Sequence, residues 1–282
     1  MPEIKWVSYH NGFEPVRMLR VSIFEQEQGF QEEFDELDPI AAHMLLLEDG
    51  QPIGCGRLAR IDDARFKPGR IAVLPHYRSG GYGRVIMQAL EARAQRLGGT
   101  LCRLGAQVSA MGFYEKLDYH PAGDRYYEEH VEHIPMEKRL SPSPYTVKWV
   151  QPGGDITHAV ALLKEVFGGE FGYTNDPDEA DPLCHTLLIY QHQLPVACGR
   201  IDSRQAPFKL GKIAVKQQLR GTGIGRVVMD NLEFQSLTMG AVGVSLNAQQ
   251  VAADFYATIG YTQQGDEFDI QGHAHIPMGK IL

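Results

Sequence analysis

Apolar positions along the first half of the chain change period in a definite order, and that order predicts the elements. Ile4-Lys5-Trp6-Val7 is a β-branched and aromatic run, predicting a strand over 4–8. Residues 15–28 place Val16, Leu19, Val21, Ile23 and Phe24 at roughly helical spacing. His43–Glu48 and Pro52–Ile61 flank Asp49-Gly50, a two-residue hairpin signal. A strand at Arg70–Leu74 passes through a glycine-rich turn into a helix over 82–97. Its apolar face is Val85, Ile86, Ala89, Leu90 and Ala92, and Gly98-Gly99 is its stop. A strand at 100–106, a helix at 108–117 and closing strands at 119–127 and 131–138 complete an α/β domain with a mixed sheet.

The pattern then starts again. IAVLPHYRSGGYGRVIM, Ile71–Met87, has a near copy in IAVKQQLRGTGIGRVVM, Ile213–Met229. IKWV at Ile4–Val7 returns as VKWV at Val147–Val150, CGR at Cys55–Arg57 returns at Cys198–Arg200, and HIPM at His133–Met136 returns at His275–Met278. Each copy has the length of a whole domain rather than of a solenoid unit. The chain therefore reads as domain 1 (1–140), a linker (141–145) carrying Ser141-Pro142-Ser143-Pro144, and domain 2 (146–282). So short a tether is expected to hold the halves together as a pseudo-dimer about a two-fold axis.

A formal net charge of −8 argues against a grip on nucleic acid. No segment has the ~18 uncharged apolar residues of a membrane span, and the N-terminus resembles no signal peptide, so a cytoplasmic protein with no membrane partner is expected. The four cysteines, Cys55, Cys102, Cys184 and Cys198, lie far apart and are expected to be buried reduced thiols. No metal is expected, because His273-x-His275 has no carboxylate or cysteine at matching spacing.

The two glycine turns carry the chemistry. Arg78-x-x-Gly81-x-Gly83 and Arg220-x-x-Gly223-x-Gly225 each stand between a strand and a helix. Backbone N–H groups there gather at a helix N-terminus and favour an anion such as a phosphate, with Arg84 and Arg226 adding charge. No lysine follows as in a P-loop, and the third glycine of a dinucleotide fingerprint is replaced by Ile86 and Val228.

The pattern V-x(4)-R-x-x-G-x-G, at Val73–Gly83 and Val215–Gly225, followed by A-x-x-FY, resembles the acetyl-CoA-binding core of the GNAT superfamily of N-acetyltransferases. Ile23–His43, GCGRL and HIPM make copy one similar to the ElaA-like branch. The resemblance spans nearly the whole chain and implies two GNAT-like acyl-CoA N-acyltransferase domains using acetyl-CoA as co-substrate. It implies that Ile71, Ala72 and Val73, with Ile213, Ala214 and Val215, face the pantetheine arm. The pyrophosphate would lie on Arg78, Ser79, Gly80, Gly81, Tyr82, Gly83 and Arg84, and on Arg220, Gly221, Thr222, Gly223, Ile224, Gly225 and Arg226. Tyr114 and Tyr256, in the FY pairs, would meet the departing thiolate, although a helix tyrosine also serves for packing.

Copy two matches the pattern at Asn247, Tyr256 and Gly260, where copy one has Gly105 and Asp118 at the first and last of these places. On that ground the chemistry is expected in the C-terminal half. His133 and His275 are candidate bases, with Glu128 a further one, and strand histidines also occur as structural residues. The acidic run Glu25, Glu27, Glu32, Glu33, Asp35, Glu36 and Asp38 is thinner in copy two, at Glu170, Asp176, Asp178, Glu179 and Asp181. It reads either as a solvated face or as a field that draws in a cationic amine. The expected reaction is acetyl transfer to a small-molecule or peptide primary amine by direct attack. An acetyl-CoA-binding regulatory protein without turnover, and an enzyme using another acyl-CoA, are the alternatives.

Overall fold

The run Ile4–Val7 lies in β1 (Glu3–Ser8), which pairs antiparallel with β2 (Ala42–Glu48), and β2 turns into β3 (Gln51–Arg60). Asp49 and Gly50 hold φ of 50° and 77°, the two left-handed positions of a tight hairpin turn. The computed structural model describes residues 2–170, 172, 181 and 183–282. Asp176, Asp178 and Glu179 lie outside the described residues. The chain divides into two units, Met1–Ser143 and Pro144–Leu282.

In the first unit α1 (Glu14–Arg20) precedes β2. After β3 come β4 (Arg65–Val73), α2 (Tyr82–Arg96), β5 (Leu101–Gln107), α3 (Met111–Glu115), β6 (His120–Pro121), β7 (Tyr126–Glu128) and β8 (Val131–Arg139). The sheet order is β1-β2-β3-β4-β5-β8-β6, with β7 also on β8, and β4–β5 is its parallel pair. The second unit repeats this: β9 (Thr146–Val150), α4 (Thr157–Leu163), β10 (His185–Gln191), β11 (Leu194–Asp202), β12 (Phe208–Val215), α5 (Ile224–Thr238), β13 (Gly243–Gln249), α6 (Ala253–Thr258), β14 (Thr262–Gln263), β15 (Phe268–Ile270) and β16 (His273–Ile281). Its order, β14-β16-β13-β12-β11-β10-β9, is the same sheet counted from the other edge.

Four details depart from the periodicity. The helix expected over 15–28 is α-helical only to Arg20 and continues as a π-helical stretch, Val21–Glu27. β4 begins at Arg65, well before Arg70, although Pro68-Gly69 reads as a break. The strand expected over 119–127 is two short ones, β6 and β7, each laid on β8. Ala92 is exposed, because α2 buries Ile86, Met87, Leu90 and Ala94, and two residues beyond Leu90 the helix has turned its far side inward no longer.

The repeated CGR has a packing reason. Cys55 is buried, and a side chain at Gly56 would meet Ile86 and Leu90, so glycine lets α2 approach β3 closely; Gly199 does the same for Val228 and Leu232 on α5. All four cysteines are free and buried. Burial pushes the thiols of Cys55, Cys102 and Cys198 up to about 12 and that of Cys184 up to about 11.

His43 is fully buried, with Nε2 2.9 Å from the Asp38 carbonyl oxygen, and burial lowers its pKa to about 4 from an ordinary 6.5. The folded imidazole is therefore neutral, while the unfolded one takes up a proton below 6.5. Its contribution is whole above that value and is lost as pH falls toward about 4. The second unit has Thr186 at the matching place. Urea unfolding is expected to show the N-terminal half losing ~2–3 kcal/mol between pH 7 and 4.5, and His43→Gln should flatten that slope. An unchanged slope in the variant would refute the assignment.

Candidate active site

β4 and β5 pair only at Arg65↔Leu101 and Phe66↔Cys102 and diverge beyond, and β12 and β13 pair only at Phe208↔Val244 and Lys209↔Ser245. The divergence has a local cause. The β3–β4 register slips opposite Arg70, which holds φ of 50° within the strand, and β11–β12 slips likewise at Lys212, φ 51°. Such bulges bend a strand away from its neighbour. In the first half the opened wedge is a cavity of about 270 Å³.

That cavity brings together Ile71 of β4, Gly105 and Gln107 of β5, Tyr114 of α3, Tyr126 and Glu128 of β7, and His133 of β8. Tyr114 is nearly buried, and burial raises its pKa to about 12. His133 lies beside the Val131 carbonyl, Nδ1 to oxygen 3.0 Å, which fixes the proton on Nδ1 and leaves Nε2 as an acceptor. Its ring stacks on Tyr126 with centroids 5.6 Å apart. The loop after the π-helical stretch roofs the cavity. The Glu129 carboxylate accepts the backbone N–H groups of Gln31 and Glu32, His130 Nε2 is 2.9 Å from the Gln28 carbonyl oxygen, and Gln107 donates to the Gln28 side chain.

Three members of the acidic run, Glu33, Asp35 and Asp38, are neither a solvated face nor an open field, while Glu27, Glu32 and Glu36 are exposed. Arg20 bonds Glu33 and Asp38, Arg57 bonds Asp35 and Asp38, and Arg70 bonds Asp35 and the Glu33 carbonyl. Three carboxylates thus meet three guanidiniums, with Arg20, Arg57, Glu33 and Asp38 all buried. Glu27 holds the Arg78 guanidinium in a two-pronged ion pair, 2.7 Å at each prong.

At the far end of the wedge, Gly81 takes φ 82° and Gly223 φ 92° as the N-caps of α2 and α5, and no side chain caps either helix. The first N–H groups of both helices are left to a ligand or to water. Gly83 has another reason: a Cβ there would come within 3.2 Å of Phe113, the first member of its FY pair, whereas at Gly225 a Cβ would meet Phe255 at an ordinary contact distance of 3.5 Å. The Val73 carbonyl accepts from Arg78 Nε, and Val215 likewise from Arg220. Arg84 is exposed without an ion pair among the described residues, whereas Arg226 is paired with Asp230 at 2.8 Å. Tyr82 donates to Glu48.

A profile of the acetyltransferase (GNAT) domain matches residues 15–140 and again 179–282. The chain belongs to the GNAT acetyltransferase family. It is a tandem GNAT protein, each half built on the acyl-CoA N-acyltransferase fold. Among similar proteins of Bacillus subtilis (strain 168), the uncharacterized protein YyaT is 37% identical over 128 residues, 44% of this chain and 86% of that protein. The uncharacterized N-acetyltransferase YjcF is 35% identical over 123 residues, 43% of this chain and 87% of that one. The crystal structure of Escherichia coli ElaA matches with 22% identity and a TM-score of 0.43, covering 49% of this chain and 99% of that one.

Within this GNAT frame, Tyr256 and His275 hold in the second half the places that Tyr114 and His133 hold in the first; both are nearly buried, and Nδ1 of His275 is 2.8 Å from the His273 carbonyl oxygen. Asp118, like Gly260, has positive φ, 64° against 92°, so the aspartate departs from the family pattern without changing the turn. Asn247 stands opposite Pro277 as Gly105 stands opposite Pro135, so these two are structural equivalents. Asp181, Cys184 and Asp202 gather in the second half, where Arg204 pairs with both carboxylates. No helix of the described residues is long and apolar enough to cross a membrane. Sequence reasoning missed Tyr126 and Arg70, which line the cavity, and Arg20, which pairs with Glu33 and Asp38; the signal was present in the repeat, as Phe268, Lys212 and Leu163 stand at their places.

Proposed function

We propose that the N-terminal half transfers the acetyl group of acetyl-CoA to a primary amine by direct attack of nitrogen on the thioester carbonyl. The observation that carries this reading is the opened β4–β5 wedge, with an uncapped helix N-terminus at one end and Tyr114 and His133 sharing one cavity. The residues fit the co-substrate. Ser79 to Gly83 and the start of α2 would take the pyrophosphate with Arg84 beside it, and Arg78 would join once Glu27 releases it. The β5-facing edge of Ile71–Val73 lies open to the pantetheine arm, Ile71 being part of the cavity wall.

The acceptor ammonium has no lone pair, so His133 Nε2 first takes one proton from it and passes it to solvent; the neutral amine nitrogen then forms the C–N bond, and the second proton it sheds ends on the departing sulfur. Tyr114 Oη donates a hydrogen bond to the sulfur as the C–S bond breaks, and the products are an amide and free CoA thiol. The C-terminal half keeps the glycine turn and Tyr256 but not the polar groups of β7, so its reading is binding of acyl-CoA without turnover. This reverses the expectation drawn from Asn247 and Gly260. Incubating the full-length protein with acetyl-CoA and a panel of primary amines, with product masses and thiol release both followed, tests the reading. Acetylated product is expected, and CoA binding without product from any amine would leave only the binding role.

A further inference from the structure

Three polar groups face the N-terminal cavity with hydrogen-bonding capacity unused. His133 is 6% exposed, with Nδ1 engaged and Nε2 free to accept. The Glu128 carboxylate lies 3.9 Å from that Nε2 and 3.8 Å from Arg70 Nη1, and it makes no hydrogen bond among the described residues. Arg70 is itself committed to Asp35 and the Glu33 carbonyl. Tyr126 Oη likewise has no hydrogen-bond partner among the described residues, and it sits directly over Gly105, where any side chain would collide with it. A carboxylate, a phenol oxygen and an imidazole lone pair thus converge beside the wedge. A primary ammonium has three N–H donors, one for each.

We propose that Glu128, Tyr126 and His133 together hold the primary ammonium of the acceptor, and that this anchor exists only in the N-terminal half. The proposal rests on the transfer reading above and gives it a substrate class, unhindered primary amines that are cationic in solution. Sheet register identifies the counterparts. Tyr126 stands opposite His133 as Phe268 does opposite His275, and Glu128 opposite Val131 as Ile270 does opposite His273. The second half has therefore exchanged the hydroxyl for hydrogen and the carboxylate for a hydrocarbon, and Asn247 of β13 stands at the register position where β5 has Gly105 beneath the Tyr126 hydroxyl. An ammonium entering there would meet no counter-charge at Ile270, the counterpart of Glu128, while the one carboxylate of β15, Asp269, stands at the alternate strand position and accepts from the Gly272 backbone N–H. Secondary and tertiary amines would leave one or two of the three acceptors in the N-terminal half unmet, which makes them poorer occupants.

Two measurements on the full chain test the anchor. With the best acceptor from the amine panel, Glu128→Gln should raise the amine KM about 10- to 100-fold, in the range of a lost charge-assisted hydrogen bond, and leave the acetyl-CoA KM within about twofold. Tyr126→Phe should raise the amine KM by a smaller factor in the same direction. Equal shifts in both KM values, or none, would overturn the proposal. In the second measurement n-butylammonium is titrated into the CoA-saturated protein while the His133 ring proton is followed by NMR, assigned through His133→Gln. The signal should move in the wild type, move little in Glu128→Gln, and not respond to tetramethylammonium, which has no N–H. A response that persists in Glu128→Gln overturns the anchor even where turnover is found, and a wild-type response without turnover leaves the anchor standing while the transfer reading fails.

Discussion

Tyr114→Phe is expected to lower kcat about 10- to 100-fold with little change in either KM, while Tyr256→Phe leaves turnover within about twofold. The size follows from what the hydroxyl can do. Burial raises the Tyr114 pKa to about 12, well above the ~8.5 of an ordinary thiol. Full proton transfer to the departing sulfur therefore runs uphill by several pKa units, and the phenol contributes a hydrogen bond to the developing thiolate rather than its proton. A hydrogen bond to a charged group is worth ~1.5–3 kcal/mol, which sets the range of the loss. The ring itself lies against Phe113 and Tyr119, and phenylalanine keeps that packing. Steady-state kinetics on the two variants decide it. Abolished turnover in Tyr256→Phe beside a normal Tyr114→Phe would move the chemistry to the C-terminal half.

Asp38→Ala should destabilise the N-terminal half by ~3–5 kcal/mol, enough to unfold it under mild denaturant. Asp38 accepts from Arg20 Nη1 and Nη2, from Arg57 Nη1 and from the Asp35 backbone N–H, and Asp38, Arg20 and Arg57 are all buried. Its removal leaves two buried guanidiniums facing two remaining carboxylates at the wrong places. Breaking a buried pair costs far more than the intact pair contributes, because the orphaned charge stays desolvated. Glu14→Ala, which removes an exposed i,i+3 partner of Arg17, is the control and should leave the unfolding midpoint close to that of the wild type. Urea titrations on both variants measure the difference, and a loss below ~1 kcal/mol for Asp38→Ala would show that the network is not structurally important.

Local rules made the scaffold readable. Asp49-Gly50 names its own turn, Gly98-Gly99 stops α2 with Gly98 at φ 91°, and the repeat of strand, glycine turn and helix places two wedges before any coordinates are seen. The acidic run was misread for the opposite reason. Its partners Arg20, Arg57 and Arg70 come from α1, β3 and β4, up to 37 residues away, and no short window along the chain contains the whole network. The bulge that opens the wedge was also invisible, since Arg70 and Lys212 are not residues that advertise positive φ. Gly105 looked like a defect in copy one because its meaning depends on Tyr126, a residue of another strand that fills the space above it.

The depth of the four cysteines has a practical side. With their thiols held near 11 or 12, only on the order of one in 10⁴ to 10⁵ is ionised at neutral pH, and the reactive species is the thiolate. A chromogenic disulfide reagent added to the native protein should therefore colour only with the CoA released by turnover, giving a continuous assay without background. Any slow colour in the absence of an acceptor then has a distinct meaning. It times the transient opening of β3, β5 or β11, where Cys55, Cys102 and Cys198 reside, or of the turn just before β10 that holds Cys184, so one cuvette reports both catalysis and local opening of the fold that supports it.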